Sequence, residues 1–250
     1  MENNKHLDKI TEVNKAKDYI TLDDVQKYFS AIGKDMDRSA IRARVSRWKD
    51  KGLLYRIARG KYKIASKHEF VHEIDTVIRK CVKLFTAEYD DLEFCIWNTK
   101  LLESNMNHIP NNSFYVFECE KDLIESVFYL FKDNGLNAFL KPNPELISQH
   151  VLSEKNSIIV RPLISRSPSI KVKNIQFASP EKILVDLFCD QETFYIYGGS
   201  ELNMIFSSMF RNYTINYSKL MNYAERRKRH KELKRFISEN IEPNIENIIK

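Results

Sequence analysis

Apolar residues recur at helical spacing through the N-terminal part of the chain, which predicts three consecutive helices. The first is predicted over residues 7–19. The second begins at Thr21, which can cap it, with Asp24 in the position of a capping-box acid. The third follows an Asp37 cap and is predicted over residues 38–51. Its apolar residues lie four and three positions apart and form one buried stripe: Ile41, Val45 and Trp48.

Two short runs of β-forming residues follow the third helix, on either side of Gly60. The first run contains Leu54 and Ile57, and the second contains Tyr62. The pattern predicts a β-hairpin with a tight turn. Three helices followed by a hairpin are the element order of a winged helix-turn-helix, and we assign residues 1–66 to such a DNA-binding domain.

The rest of the chain alternates between helical and strand-like patterns, which predicts a mixed α/β domain over residues 67–250 and an α+β protein as a whole. Ser179, Pro180 and Glu181 provide a cap, a proline in the first turn and an acid beside it, and so predict a helix start. We also predict helices over residues 68–85, 121–132, 200–210 and 217–239, and strands over residues 92–97, 114–119, 138–141, 157–162 and 170–177.

The composition excludes several classes of protein. Of 250 residues, 43% are hydrophobic and 30% are charged, which excludes a disordered tail, a collagen and a coiled-coil rod. The sequence contains neither an apolar run as long as a membrane-spanning helix nor the apolar core of a secretory signal, so we expect no membrane association. The four cysteines stand singly, as in a cytoplasmic protein with reduced thiols, and we expect no metal and no cofactor.

The formal net charge of +6 is unevenly distributed. Residues 38–67 contain 11 basic residues and one acid, Asp50. Ordinary solvated helices mix both signs of charge, whereas the polar face of the third helix is nearly all Arg, Lys and Ser, which favours contact with double-stranded DNA over a merely solvated surface. The candidate DNA-binding residues are Arg38, Ser39, Arg42, Arg44, Ser46, Arg47, Lys49, Arg56, Arg59, Lys61 and Lys63.

A second basic run occupies residues 223–237, where apolar residues at helical spacing can hold the segment down. Either this segment is a solvated C-terminal helix, or it contacts an acidic partner: DNA, RNA or a protein. The candidate partner-binding residues in it are Arg226, Arg227 and Arg229.

Two short segments resemble enzyme motifs. Gly198-Gly199-Ser200 resembles the start of a nucleotidyltransferase motif, in which glycines let backbone amides approach phosphates. That motif also requires a later pair of aspartates to hold metal ions, and residues 201–220 contain no aspartate. The segment Glu118-Cys119-Glu120-Lys121 misses the acid-spacer-lysine spacing of a nuclease. We therefore expect no enzyme and no catalytic residue, and keep a nucleotidyltransferase or nuclease acting on nucleotides or nucleic acid as the alternative.

Three segments resemble, in the same order, those of AbiEi-type antitoxins, the antitoxins of type IV toxin–antitoxin systems. The segment Gly52-Leu53-Leu54-Tyr55-Arg56-Ile57-Ala58-Arg59-Gly60-Lys61-Tyr62 is similar to the family's wing pattern G-L-ϕ-x-R-ϕ-x-R-G-x-Y. The segment Ala178-Ser179-Pro180-Glu181-Lys182-Ile183-Leu184-Val185-Asp186-Leu187 is similar to its helix P-E-K-T-L-V-D-L. Between them, Phe94-Cys95-Ile96-Trp97-Asn98-Thr99 resembles a strand of an uncharacterised branch.

The resemblance implies a transcriptional regulator that represses its own operon by binding an operator and counteracts a partner nucleotidyltransferase toxin. It implies a second domain that is nucleotidyltransferase-like but lacks catalytic residues. It assigns DNA contact to Arg38, Arg42, Arg47, Arg56, Arg59 and Lys61, and places Lys182 and Asp186 in the recurrent helix as candidate partner-binding residues. At i and i+4, Lys182 and Asp186 can instead pair with each other.

Overall fold

The computed structural model describes residues 2–14, 17, 19–50, 53–58, 60–64 and 70–241. The chain divides into two compact units. The first takes in the described residues up to 64 together with Phe210–Asn216, which our division at residue 66 assigns to the second domain. The second unit comprises Phe70–Met209 and Tyr217–Ile241.

The first unit contains helices and strands in the order helix, strand, two helices and a hairpin. They are α1 (Glu2–Val13), β1 (Ile20–Thr21), α2 (Leu22–Ala31), α3 (Arg38–Asp50), β2 (Leu54–Ala58) and β3 (Lys61–Ile64). The first helix was predicted too late, over residues 7–19. It ends at Val13, where the Asn14 side chain donates a 2.8 Å hydrogen bond to the Ile10 carbonyl oxygen.

The caps that begin α2 and α3 are those the sequence predicts. The Thr21 hydroxyl accepts from the Asp24 amide, and the Asp24 carboxylate accepts from the Thr21 amide at 2.8 Å, so both halves of the capping box are present. Asp37 Oδ1 accepts a 2.6 Å hydrogen bond from the Ala40 amide at the start of α3. These local bonds satisfy amides that an α-helix leaves without backbone partners.

The apolar stripe of α3 forms the core of the first unit. Ile41, Val45 and Trp48 are buried, and the Trp48 ring stacks on Phe29 of α2 at 6.5 Å between centroids. Burying a side chain of this size contributes about 2–3 kcal/mol by the area it removes from water. The stripe therefore fixes which face of α3 points outward.

The described strands of the first unit form an antiparallel sheet in the order β1-β3-β2. The sequence predicted the β2–β3 hairpin but not β1, whose two residues are too few to show a strand period. Arg56 pairs with Tyr62 and Ala58 with Lys61, so Ile57 forms a bulge close to the turn.

The second unit is a mixed sheet flanked by helices. Its strands are β4 (Phe94–Asn98), β5 (Tyr115–Cys119), β6 (Ala138–Leu140), β7 (Ile158–Pro162), β8 (Ser169–Val172) and β9 (Ile175–Ala178). Its helices are α4 (Thr76–Glu88), α5 (Ile124–Asp133), α6 (Pro144–Leu146, continued by a π-helical turn over Ile147–Val151), α7 (Pro180–Cys189), α8 (Ser200–Asn212, which the unit boundary crosses), α9 (Tyr217–Arg226) and α10 (His230–Asn240). Short 3₁₀ segments span Thr99–Asn105, Lys121–Leu123 and Tyr195–Tyr197.

Three predicted elements of this unit needed correction. The helix predicted over 68–85 begins at Thr76, since Asp75 caps it by accepting from the Ile78 amide at 2.9 Å. The strand predicted over 170–177 is the β8–β9 hairpin, whose turn holds two residues at positive φ, Lys173 and Asn174. The helix predicted over 217–239 is two helices, separated at Lys228, which has a φ of 56°.

The sheet order is β6-β7-β5-β4-β9-β8. The pairs β6/β7, β7/β5 and β4/β9 are parallel, whereas β5/β4 and β9/β8 are antiparallel. Helices α4 and α5 cover one face of the sheet, where Phe85 of α4 and Phe131 of α5 pack against Phe117 of β5. Because side chains alternate along a strand, Glu118 and Arg161, paired neighbours in β5 and β7, project from the opposite face.

None of the described helices is both long and apolar enough to cross a lipid bilayer.

Candidate nucleic-acid interface

The outward face of α3 carries most of the predicted DNA-binding residues of that helix. The exposed ones are Arg38, Ser39, Arg42, Ser46, Arg47 and Lys49. Two of the arginines make local contacts: Arg38 forms a 3.0 Å ion pair with Asp23 of α2, and Arg47 Nε donates to the Ala43 carbonyl oxygen at 3.4 Å. The Arg38 pair is exposed on both sides, so it adds little stability and can exchange for a phosphate.

Arg42 occupies the middle of this face. Its neighbours on the exposed helix surface are the short side chains of Ser39 and Ser46 and, one turn earlier, Arg38. The two serines leave room for the helix backbone to approach a groove while the Arg42 guanidinium reaches beyond them. That geometry suits the bidentate contact of arginine with a guanine edge.

Arg44 lies apart from this face. It is half-buried, and its guanidinium carbon sits 4.7 Å from the centre of the Phe29 ring of α2. Its Nε is buried and has no hydrogen-bond partner among the residues that the structure describes. The structure therefore places Arg44 against the packing surface between α2 and α3 rather than among the outward cations.

The hairpin contributes two exposed cations from the predicted set, Arg56 of β2 and Lys61 of β3. The Lys61 ammonium lies 4.4 Å from the centre of the Tyr19 ring, a cation–π contact that orients it. Lys63 belongs to β3 and its backbone pairs with Tyr55. Arg59 lies outside the described residues.

The second unit contains a network of charged groups that is closed to solvent. Lys182 of α7 is completely buried, and its Nζ lies 2.7 Å from Glu118 Oε2 and 2.5 Å from Asp186 Oδ2. Asp186 Oδ1 accepts a 2.8 Å hydrogen bond from the Tyr223 hydroxyl of α9. Strand β5, helix α7 and helix α9 are thereby joined through Lys182 and Asp186.

Two arginines extend the network to the edge of the unit. Arg161 of β7 contacts Glu118 at 3.3 Å and also pairs with Asp190, just after α7. Arg227, just after α9, lies 2.5 Å from Asp186 Oδ1 and pairs with Asp190 through its second nitrogen. Three cations thus face three carboxylates, so the buried group as a whole is neutral.

Burial and pairing act in opposite directions on these groups. Burial lowers the pKa of Lys182, but the carboxylates of Asp186 and Glu118 outweigh it and raise that pKa well above its usual value. Burial acts to raise the pKa of Asp190, yet Arg161 and Arg227 bring it below its usual value. Lys182 and Asp190 are therefore held in their charged forms by their partners, whereas burial raises the pKa of Glu118 above its usual value despite the nearby Lys182 and Arg161.

Three of the candidate partner-binding residues of the second unit, Lys182, Asp186 and Arg227, belong to this network. Lys182 and Asp186 are buried and pair with each other at i and i+4, so neither reaches the surface. Arg227 is committed to Asp186 and Asp190. Arg226 and Arg229 are exposed; the first donates to the Ser165 hydroxyl at 3.0 Å, and the second lies 3.7 Å from Glu232.

Sequence reasoning did not identify Arg161, Asp190 and Glu118 as members of a network. A signal was present, since Glu118 and Arg161 are single charges inside otherwise apolar strands, YVFEC and IIVRP. Charged residues are almost never fully buried unless they are paired. Sequence alone did not show which partners they meet.

The glycine segment that resembles a nucleotidyltransferase start leads directly into a helix. Gly198 is extended, Gly199 has a φ of 58°, and α8 begins at Ser200. Glu201 in its first turn accepts from the Asn107 amide at 3.1 Å and lies 2.5 Å from His108 Nδ1. Within the described part of the chain, no group of three or more His, Cys, Asp or Glu side chains is placed to hold a metal ion.

Comparison with known proteins identifies a family without an assigned activity. The chain matches none of the curated proteins. Residues 40–243, which is well over half of the chain and reaches from α3 to the residues just after α10, match the model described as a family of unknown function, DUF6577. The chain therefore belongs to the DUF6577 family.

Proposed function

We propose that the protein is a DNA-binding transcriptional regulator whose first unit is a winged helix-turn-helix. The observation that carries the proposal is the division of α3 into two faces. One face buries Ile41, Val45 and Trp48, while the other exposes arginine, lysine and serine side chains and no carboxylate among the described side chains.

The element order of the first unit supports this proposal. A winged helix places two helices before a recognition helix and follows it with a β-hairpin, and the order here is α1, β1, α2, α3, β2 and β3. The recognition helix of such a domain enters the major groove, while the hairpin lies along the backbone. Exposed Arg56 and Lys61 give this hairpin the charge that phosphate contact requires.

The geometry suggests separate roles for the cations. Arg42 reads a base edge, because it stands near the middle of α3 between Ser39 and Ser46. Arg38 and Lys49 stand near the two ends of α3 and Lys61 stands on the hairpin, where they neutralise phosphates, which adds affinity without sequence preference.

The proposal is tested by selecting preferred sequences from a randomised duplex library and measuring binding by fluorescence anisotropy at several salt concentrations. With roughly five phosphates neutralised, log affinity falls against log salt with a slope of about −4 to −5. Arg42→Ala removes discrimination at one base pair, worth about 1–3 kcal/mol, whereas Lys61→Ala weakens selected and random duplexes alike. Lys83→Ala, which removes an exposed cation from α4, is the matched control.

Two results would count against this assignment. If no sequence is enriched from the library, the protein is not a sequence-specific regulator. If Arg42→Ala weakens selected and random duplexes equally, α3 does not read bases.

For the second unit, the proposal is the one that the antitoxin resemblance implies: it counteracts a partner toxin of the nucleotidyltransferase class. Since Lys182 and Asp186 are sealed inside the unit, such a partner must bind other residues. The test is co-purification of the full chain with the product of an adjacent gene after nuclease treatment. Association that disappears with nuclease indicates a nucleic-acid bridge and counts against a direct complex.

A further inference from the structure

The turn before α10 and the exposed side of that helix form a cationic surface in the second unit. The surface is made of four exposed residues: Lys228, Lys231, Lys234 and Arg235. The last three lie at i, i+3 and i+4, so their side chains share one side of the helix. The opposite side is buried through Leu233 and Ile237.

Helix stability does not explain this arrangement. Like charges at i,i+3 and i,i+4 destabilise a helix by about 0.2–0.5 kcal/mol per pair. Lys231 also stands in the first turn of α10, where the helix dipole favours acids and disfavours cations. The charges of this surface therefore cost the helix stability.

Neighbouring carboxylates do not neutralise the surface either. No carboxylate among the described residues lies within ion-pair distance of Lys231, Lys234 or Arg235. The acid of the first turn, Glu232, lies 3.7 Å from Arg229. Four exposed cations that the described carboxylates leave unneutralised raise the local concentration of anions.

The helix that bears these cations is held firmly in place. The Phe236 ring packs against Phe188 and Phe206 at 5.2 and 5.0 Å between centroids. Just before the turn, Arg227 is clamped by the carboxylates of Asp186 and Asp190. The buried network thus fixes the position of the turn that precedes the cationic surface. On binding, only the cationic side chains themselves lose conformational freedom.

From these observations we propose that the cationic surface of α10 is a second DNA contact, which binds the phosphates of duplex DNA without reading sequence. The choice of DNA over other polyanions rests on the proposed function of the first unit. Exposed lysines with three rotatable donors suit phosphate oxygens, and contacts with phosphates carry no sequence information.

The experiment uses the full chain with Lys231→Gln, Lys234→Gln and Arg235→Gln combined. The control variant combines Lys83→Gln, Lys121→Gln and Lys171→Gln, which removes three exposed cations from other parts of the same unit. A third variant, Arg42→Ala, is made alone and together with the three α10 changes, and it reports on the first unit. Each protein is titrated into a selected DNA duplex, a random DNA duplex and an RNA duplex between 50 and 200 mM salt, after circular dichroism has shown that every variant is folded.

The α10 variant is expected to flatten the salt slope by about 2.7, so the ratio of wild-type to variant affinity is about 40-fold larger at 50 mM than at 200 mM salt. The loss is equal on both duplexes, and it persists in the Arg42→Ala background. A slope equal to that of the control overturns the α10 contact while leaving the proposed function intact. A loss confined to the selected duplex, or one seen on duplex RNA and not on DNA, overturns it as well. If Arg42→Ala keeps the sequence preference of the wild type, the proposed role of α3 is wrong and the α10 contact is unaffected.

Discussion

Replacing Lys182 with methionine tests whether the buried network holds the second unit together. The substitution keeps an unbranched side chain of similar length and removes only the charge and its donors. In the wild type, Lys182 Nζ is 2.7 Å from Glu118 and 2.5 Å from Asp186, and all three side chains are at most 1% exposed. Removing one partner of a buried pair lowers the free energy of unfolding by about 3–5 kcal/mol, because the remaining charge is neither paired nor solvated.

Asp186 keeps Tyr223 and Arg227 after this change, so most of the cost falls on Glu118, which retains only Arg161 at 3.3 Å. Adding Glu118→Gln to Lys182→Met removes the stranded charge. The double variant is therefore expected to be more stable than the sum of the two single changes predicts, by about 1–3 kcal/mol.

Urea unfolding followed by circular dichroism measures these differences, with Lys171→Met on the exposed edge of β8 as a control that should change stability by no more than about 0.5 kcal/mol. A loss below about 1 kcal/mol for Lys182→Met would refute the network as a structural support. Strict additivity in the double variant would refute the coupling to Glu118.

Two further outcomes follow from single contacts. His72 stacks on Phe177, and burial lowers its pKa to about 4, despite a hydrogen bond with the Ala178 carbonyl oxygen. The unfolded chain takes up this proton at a higher pH than the folded chain does. The free energy of unfolding of the wild type should therefore fall by about 2–3 kcal/mol relative to that of His72→Gln between pH 7.5 and pH 4.5. Urea unfolding measures both proteins, and an equal change in both would contradict this prediction. Thr21→Ala should cost about 1 kcal/mol by opening the capping box with Asp24, with Thr21→Ser restoring most of it; equal stability of all three in thermal unfolding would contradict the cap.

The helix starts were predictable because their determinants are local. Thr21, Asp37 and Ser179 each accept a hydrogen bond from an amide three residues later, and the residues involved are contiguous in the sequence. The outward face of α3 was predictable for a similar reason, since its buried stripe repeats within a single helix. Arg44 shows the limit of that reasoning, because its packing on Phe29 depends on a second helix.

Two of the errors arose where the backbone turns without a glycine or proline. Lys228 divides the predicted C-terminal helix, and Lys173 and Asn174 turn the predicted strand into a hairpin, all three at positive φ. Lysine seldom adopts that conformation, so its presence gives a sequence reader no warning. In such places tertiary contacts, including the hold of Arg227 on α7, decide where the chain turns.

The network also changes how the segment that resembles P-E-K-T-L-V-D-L should be understood. Ser179 caps α7 and Pro180 begins it, while Lys182 and Asp186 bind α7 to β5 and to α9. Every polar residue of the segment therefore has a structural partner within the second unit, and its apolar residues are buried. Within this chain the segment therefore serves to build the domain. Any activity of the second unit must be sought on its exposed surfaces, where the cations of α10 are the first candidates.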